Sequence, residues 1–119
     1  MNDDSNPDIN TESSKARDIE PVSKAAEREV SKASHRARLE IQECLVALAH
    51  GLKPTLEVKP LTDVGSGVFE MKTRGRPSFR CVFHMKDAGK IVVVAVREKA
   101  KSGPLRPLID VVRKRLKKE

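Results

Sequence analysis

The sequence predicts an α+β fold in which N-terminal helices and a C-terminal helix pack on a small antiparallel β-sheet. Apolar residues recur at helical spacing over residues 37–48 and again over residues 105–116. Between these segments, apolar and polar residues alternate over residues 68–85, as in strands with one buried face. The length of 119 residues suits one domain. We predict a flexible acidic tail over residues 1–21 and a folded domain over residues 22–119.

Two N-terminal segments have helical patterns. Ser23 is a predicted N-cap for a helix that runs to about Ser31 with a thin apolar face. A clearer stripe follows at i, i+3, i+4 and i+7, and Gly51 is its expected C-terminal stop; the stripe consists of Ile41, Cys44, Leu45 and Leu48. The spacing leaves open whether one bent helix or two helices cover this span. A last helix is predicted to start within residues 104–107, with the stripe Leu105, Leu108, Ile109, Val112 and Leu116.

The strands are predicted from alternation. Residues 56–67 connect the helices to a strand over 68–74, residues 75–77 make a turn, and a second strand covers 78–85. A hairpin over residues 86–89 leads to a continuously apolar run over residues 91–96, which is typical of a central strand buried on both faces.

Charge is unevenly distributed along the chain. Up to Ser34 there are eight acidic and five basic residues, and from His35 onward there are nineteen basic and nine acidic residues. A domain with this excess attracts polyanions, although a merely well-solvated surface is the alternative. No run of eighteen apolar residues and no signal-peptide pattern occurs, so we expect a cytoplasmic protein without a membrane segment.

Metal and disulfide chemistry are not expected. Cys44 and Cys81 lie in apolar strings and are predicted to be reduced core residues. His35, His50 and His84 have no metal-ligand spacing with either cysteine, so no metal and no cofactor is predicted.

Basic residues are predicted to share one face of the sheet. The candidates for catalysis are Arg80, Lys72, Arg74 and His84, and the candidates for RNA binding are Arg76, Arg97, Lys99 and Lys101. RNA cleavage without a metal needs a proton carrier and cations around the phosphorane that forms when the 2′-hydroxyl attacks. Arg80 and Arg74 are the candidate charge stabilisers, while Lys72 or His84 could move protons. A polar, half-solvated face without a site is one alternative, and a structural Arg80 that pairs with Glu70 on the adjacent strand is another.

Four segments resemble the phage-derived branch of the RelE/HigB toxin superfamily. These are residues 58–72, residues 79–83, residues 90–94 and the closing helix that ends in Arg113-Lys114-Arg115-Leu116, so that the resemblance covers about residues 33–119. It implies a microbial-ribonuclease-like fold with helices on one side of an antiparallel sheet. It also implies a ribosome-dependent mRNA endoribonuclease, restrained by an antitoxin that often has a helix-turn-helix. By position, Lys72, Arg74 and Arg80 fall on the family's phosphate-binding residues, and Lys99 falls in its last basic motif.

The sequence departs from the family in several places. Phe83 stands where a tyrosine is usual, Glu98 where a lysine is usual and Val96 where an aromatic residue is usual, and the chain has no Tyr or Trp. The first strand of that fold, expected near residues 18–22, has no clear pattern. Two functions therefore remain open: a toxin that cleaves mRNA on the ribosome, or a catalytically degenerate module that binds a protein or nucleic acid.

The acidic tail yields a first prediction. Its composition cannot bury enough apolar surface to offset the entropy of ordering the chain. Deletion of residues 1–10 is expected to leave the thermal unfolding midpoint nearly unchanged in differential scanning calorimetry. A loss of several degrees would show that the tail contributes to the fold.

Overall fold

A computed structural model describes residues 16–87, 89–99 and 106–118 of the chain. Within these residues the elements are β1 (Asp18–Pro21), α1 (Lys24–Lys32), α2 (His35–Ala49), β2 (Val58–Pro60), a short 3-10 helix (Thr62–Val64), β3 (Val68–Lys72), β4 (Phe79–Asp87), β5 (Lys90–Glu98) and α3 (Arg106–Lys117). They form a compact α+β fold, as the sequence predicts. None of the helices in these described ranges is both long and apolar enough to cross a membrane.

A serine cap begins each of the two N-terminal helices. The Ser23 hydroxyl accepts a hydrogen bond from the N–H of Ala26, and the Ser34 hydroxyl accepts one from the N–H of Ala37. Each cap satisfies a helix N–H group that has no intrahelical partner. Because Ala33 adopts an extended backbone before Ser34, the span contains two helices and not one bent helix. Gly51 follows α2 with φ +73°, which confirms its predicted place after the end of the helix.

The sheet has the strand order β1-β5-β4-β3-β2 and is mostly antiparallel. β5 lies inside the sheet between β1 and β4, as its apolar run predicts. β1 pairs in parallel with β5, with Ile19 opposite Ile91. The alternation rule indicates β1 only weakly because all four of its residues are exposed. β2 lies in the segment predicted to be a connection, and its three residues are too few to show an alternation.

The helices cover both faces of the sheet, which corrects the one-sided arrangement implied by the family resemblance. On one face, α2 packs on a core that includes Met71, Cys81 and Phe83. On the other face, Leu108 and Val112 of α3 pack on a second core. That core consists of Leu61, Val68, Val82, Val94, Ala95, Leu108 and Val112. α3 therefore lies on the face that the alternation predicts to carry the basic residues.

A bulge in β5 shapes the surface on which α3 packs. The pairing passes from Val82 opposite Ala95 to Phe83 opposite Val93, so Val94 has no partner residue on β4. Val94 and Ala95 both belong to the α3 core. An extra residue of this kind bends a strand and increases its local twist. The bulge thereby gives α3 two successive buried side chains from one strand.

Glu29 of α1 and Arg115 of α3 close the edge of β5 beyond the end of β1. The Glu29 carboxylate accepts a hydrogen bond of 3.0 Å from the Val96 N–H, and the Arg115 guanidinium donates one of 2.8 Å to the Val94 carbonyl. The two side chains also form a bidentate pair, with N–O distances of 2.9 and 2.8 Å. Arg97 adds a fourth bond to the Glu29 carboxylate at 3.1 Å. This cluster satisfies two main-chain groups of β5 that no strand reaches.

The two cysteines lie in the α2 core, which confirms that they are buried and unpaired. Burial raises the pKa of Cys81, and the nearby Cys44 adds to that increase. Burial also raises the pKa of Cys44, against a hydrogen bond at Leu56 that lowers it. Both groups are therefore protonated thiols at neutral pH, which makes them poor nucleophiles.

The Glu29 cluster is expected to make stability depend on pH. Burial of Glu29 would raise its pKa, but the hydrogen bonds from Arg115 and the Val96 N–H and the charges of Arg115 and Arg97 lower the pKa below its ordinary value of 4.5. The stabilisation is therefore fully present above the unfolded-state pKa and is lost as the pH falls through the lower folded-state pKa.

We expect Glu29→Gln to reduce the free energy of unfolding at pH 7 by about 2–3 kcal/mol, since it removes one charge of a mostly buried pair. Urea titrations at pH 7 and below pH 4 measure this difference, which should shrink at the lower pH. The matched control is Glu43→Gln, because Glu43 is exposed on α2. Equal losses in the two variants would contradict the role assigned to the cluster.

Candidate nucleic-acid interface

Three predicted cations form one row across three neighbouring strands. Lys72 of β3 lies opposite Arg80 of β4, and Arg80 lies opposite Arg97 of β5. Directly opposed residues on neighbouring strands have Cβ atoms about 5 Å apart. The register therefore brings together residues that are 8 and 17 positions apart in the sequence.

The β3–β4 turn carries two further predicted cations to the same end of the sheet. Thr73 closes the turn: its N–H donates to the Phe79 carbonyl, and its hydroxyl accepts a hydrogen bond of 2.8 Å from the Phe79 N–H. Gly75 has φ +86°, a conformation that a glycine adopts without strain. The Lys99 N–H donates to Ser78, so the end of β5 joins this turn. We call the resulting group the sheet-end cluster: Lys72, Arg74, Arg76, Arg80, Arg97 and Lys99.

Two members of the row are already paired with carboxylates. Arg80 donates a hydrogen bond of 3.1 Å to Glu70, and both side chains are largely buried. Arg97 donates to Glu29 at 3.1 Å and remains about half exposed. An arginine has five N–H donors, so each retains donors for a phosphate. The carboxylates nevertheless reduce the positive charge available there.

Arg74 does not join the row. Its main-chain N–H donates to Glu40 of α2 at 2.8 Å, and its guanidinium donates to the Thr55 carbonyl at 2.9 Å. The alternation that placed Arg74 beside Lys72 stops at Lys72, where β3 ends. Arg74 is exposed at the sheet end, close to α2.

His84 lies away from the row. It follows Arg80 by four residues on the same strand, which corresponds to about 13 Å. Val82 lies between them on the same face and is fully buried in the α3 core. The imidazole lies so close to Gly67 that a Cβ atom at position 67 would come within 3.4 Å of the ring. The structure therefore separates His84 from the cations it was predicted to assist.

A small polar groove lies beside the row at the outer strands. It has a volume of about 150 Å³ and is lined by Glu57, Lys59, Glu70, Lys72 and Arg80. The lining contains two carboxylates and three cations, and Lys59 lies opposite Glu70 in the strand register. The groove can accept one anionic group at Lys72 and Arg80, but its carboxylates oppose a strongly charged ligand.

The residues that depart from the RelE/HigB pattern do not line the groove. Phe83 is fully buried in the α2 core, and its ring stacks on Phe69 at a centroid distance of 5.8 Å. The side chain at position 83 is therefore on the opposite face of the sheet from Arg80. Glu98 is exposed at the end of β5, opposite Phe79. Lys101, the last predicted RNA-binding residue, lies outside the described residues.

A second group of cations lies on α3, where the sequence pattern indicates mainly a favourable interaction with the helix dipole. Leu108, Ile109 and Val112 of the predicted apolar stripe are buried, Leu116 is partly buried, and Leu105 lies outside the described residues; the residues on the outer side of α3 are exposed. We call that side the α3 outer face: Arg106, Asp110, Arg113, Lys114, Lys117 and Lys118. The sequence already predicts the cluster from Arg113 to Lys118 as the alternative binding site if the sheet face does not bind RNA.

No three His, Cys, Asp or Glu side chains within the described ranges are grouped so that they could hold a metal ion. No protein-family model matches this sequence, and no curated protein or solved structure matches it either. The RelE/HigB resemblance therefore rests on four sequence segments and stays a prediction. The roles of the individual site residues are predictions as well.

Proposed function

We propose that this protein is a RelE/HigB-like module that binds RNA through phosphate contacts at the sheet-end cluster. The observation that carries the proposal is the register that aligns Lys72, Arg80 and Arg97 across β3, β4 and β5. Such a row on a hydrogen-bonded sheet holds the backbone of each cation at a fixed spacing, so little backbone conformational entropy is lost on binding. The neighbouring turn adds the exposed Arg76.

Binding is better supported than cleavage by the arrangement of the side chains. The cation best placed to stabilise a phosphorane, Arg80, is paired with Glu70. The histidine proposed to carry a proton is separated from it by the buried Val82. Phosphate binding needs only cations, whereas cleavage also needs a proton carrier beside the reacting group. The catalytically degenerate alternative is therefore the function we favour.

Ribosome-dependent mRNA cleavage is the second candidate. The groove at Lys72 and Arg80 favours it, since one anionic group can meet two cations there. On this proposal Lys72 moves a proton, Arg80 stabilises charge, and a cognate antitoxin, such as a helix-turn-helix protein, covers the site. A cytoplasmic location belongs to both candidates, because mRNA and ribosomes are found there.

Removal of sheet-end cations is expected to reduce the salt dependence of RNA binding. Lys72→Gln with Arg76→Gln removes two exposed charges, so the slope of log affinity against log salt should become less negative by about 1.4. Fluorescence anisotropy with a single-stranded RNA measures the slope. The control, Lys24→Gln with Lys90→Gln, removes the same charge away from the cluster and should leave the slope close to that of the parent. If the two double variants make the slope less negative by the same amount, the binding is not local to the cluster.

The cleavage candidate gives a separate test on purified ribosomes with a translated mRNA. If the protein is a nuclease, it should cut that mRNA, and Arg80→Ala should reduce the rate by about two or more orders of magnitude. Arg80→Lys and Glu70→Gln, with unfolding measured for each, separate a lost charge stabiliser from a lost ion pair. If the parent protein leaves translated mRNA uncut, the cleavage candidate is wrong and the binding function remains.

A further inference from the structure

We infer that the α3 outer face is a second nucleic-acid surface, one that binds the phosphates of a double helix. This surface is distinct from the sheet-end cluster. The inference depends on how α3 is anchored, on which of its cations are free, and on where the aromatic rings of the chain lie.

α3 is a fixed support for its charges. Leu108, Ile109 and Val112 are buried against the sheet. Arg113 donates a hydrogen bond of 2.6 Å to the carbonyl of Asp63, and Arg115 bonds both Glu29 and the Val94 carbonyl. These bonds hold the helix from two sides, at the 3-10 helix and at the β5 edge. Cations on such a helix keep their relative positions without a ligand.

The unpaired cations of this face are lysines. Arg106 forms an ion pair of 3.7 Å with Asp110, and Arg113 already donates to Asp63. Lys114, Lys117 and Lys118 are exposed, and no carboxylate among the described residues lies within ion-pair distance of them. Asp110 is the acidic residue within the helix. The face therefore presents unneutralised point charges to the solvent.

The spacing of these lysines suits a phosphate backbone. Residues three and four apart on a helix are neighbours on its surface, at about 5–6 Å between Cβ atoms. Lys114 lies three residues before Lys117 on the helix, and Lys118 follows directly in the turn after the helix. The three side chains thus form a patch that can contact successive phosphates of one strand.

Among the described residues there is no exposed Phe, Tyr or Trp ring for stacking on unpaired bases. It has no Tyr or Trp and three Phe. Phe79 and Phe83 are buried, and Phe69 is partly buried and stacked on Phe83. Lysine has no planar surface, and the guanidiniums of Arg106 and Arg113 on this face are engaged by Asp110 and by the Asp63 carbonyl. His35 and His50 flank α2 on the other side of the sheet.

These features favour a double helix over a single strand. Proteins that bind single strands without sequence preference combine a basic groove with aromatic stacking of about 1–3 kcal/mol per base. A single strand that contacts only the lysines would lose chain entropy without that gain. In a duplex the phosphates are already ordered, and contacts to them need no base readout. The surface should therefore bind duplexes with little dependence on sequence.

Anisotropy with three ligands of one sequence tests the inference: duplex RNA, duplex DNA and single-stranded RNA. We expect Lys114→Gln with Lys117→Gln to weaken the binding of at least one duplex more than that of the single strand, because the sheet-end cluster can still hold a single strand. In Lys114→Gln with Lys117→Gln, the duplex salt slope should become less negative by about 1.8, since two phosphate contacts are lost. A preference for RNA or for DNA identifies which duplex the surface accepts.

The matched control is Arg38→Gln with Lys53→Gln, which removes the same charge from α2 and the segment after it; both residues are exposed. This pair should leave the duplex slope near that of the parent, and circular dichroism checks that both variants fold. The inference is overturned if Lys114→Gln with Lys117→Gln weakens single-strand binding as much as duplex binding, or if the two double variants change the duplex slope equally. Loss of single-strand binding only in the Lys72→Gln, Arg76→Gln variant would leave this duplex surface standing, so the two proposals fail separately.

Discussion

The contact on which the rest of the structure depends is the bidentate pair between Glu29 and Arg115. β1 is four residues long and pairs with only the first half of β5. On that side of β5, the Val94 carbonyl and the Val96 N–H therefore have no strand beside them. Buried main-chain donors and acceptors without partners are costly. Glu29 supplies the acceptor and Arg115 the donor, and their mutual pairing joins α1 to α3 across the edge.

This closure decides which surfaces are available for function. With Arg115 held at the edge of β5, α3 lies over the middle of the second face and buries Val82 and Val94. α3 thereby divides this face of the sheet, which would otherwise be open to solvent, into two ends. The row of Lys72, Arg80 and Arg97 lies at one end, and His84 lies toward the other. The buried Val82 separates His84 from the row, whereas phosphate contacts at the row or on α3 need no such continuity.

Pairing, more than the number of charges, distinguishes the two proposed surfaces. At the sheet end, Glu70 and Glu29 each neutralise part of an arginine's charge, which suits moderate binding of a single phosphate chain. On α3, Arg113 and Arg115 anchor the helix, and the lysines remain unpaired in the described residues. An arginine fork suits directed bonds to carboxylates and carbonyls, whereas lysine acts as a mobile point charge. Each residue type therefore lies where its chemistry is useful.

The sequence by itself determined the elements whose periodicity is long enough to be read. Burial that repeats along one segment leaves a visible pattern: the α2 and α3 stripes, the alternation of β3 and β4 and the apolar run of β5. The basic excess is likewise visible, because it is a count of residues. β1 and β2 are too short or too exposed to leave such a pattern. Only the tertiary structure decided that Glu70 pairs with Arg80, that Arg74 turns toward Thr55 and that α3 covers Val82. These outcomes depend on contacts between distant segments, and local spacing contains no information about which main-chain groups a neighbouring strand leaves unpaired.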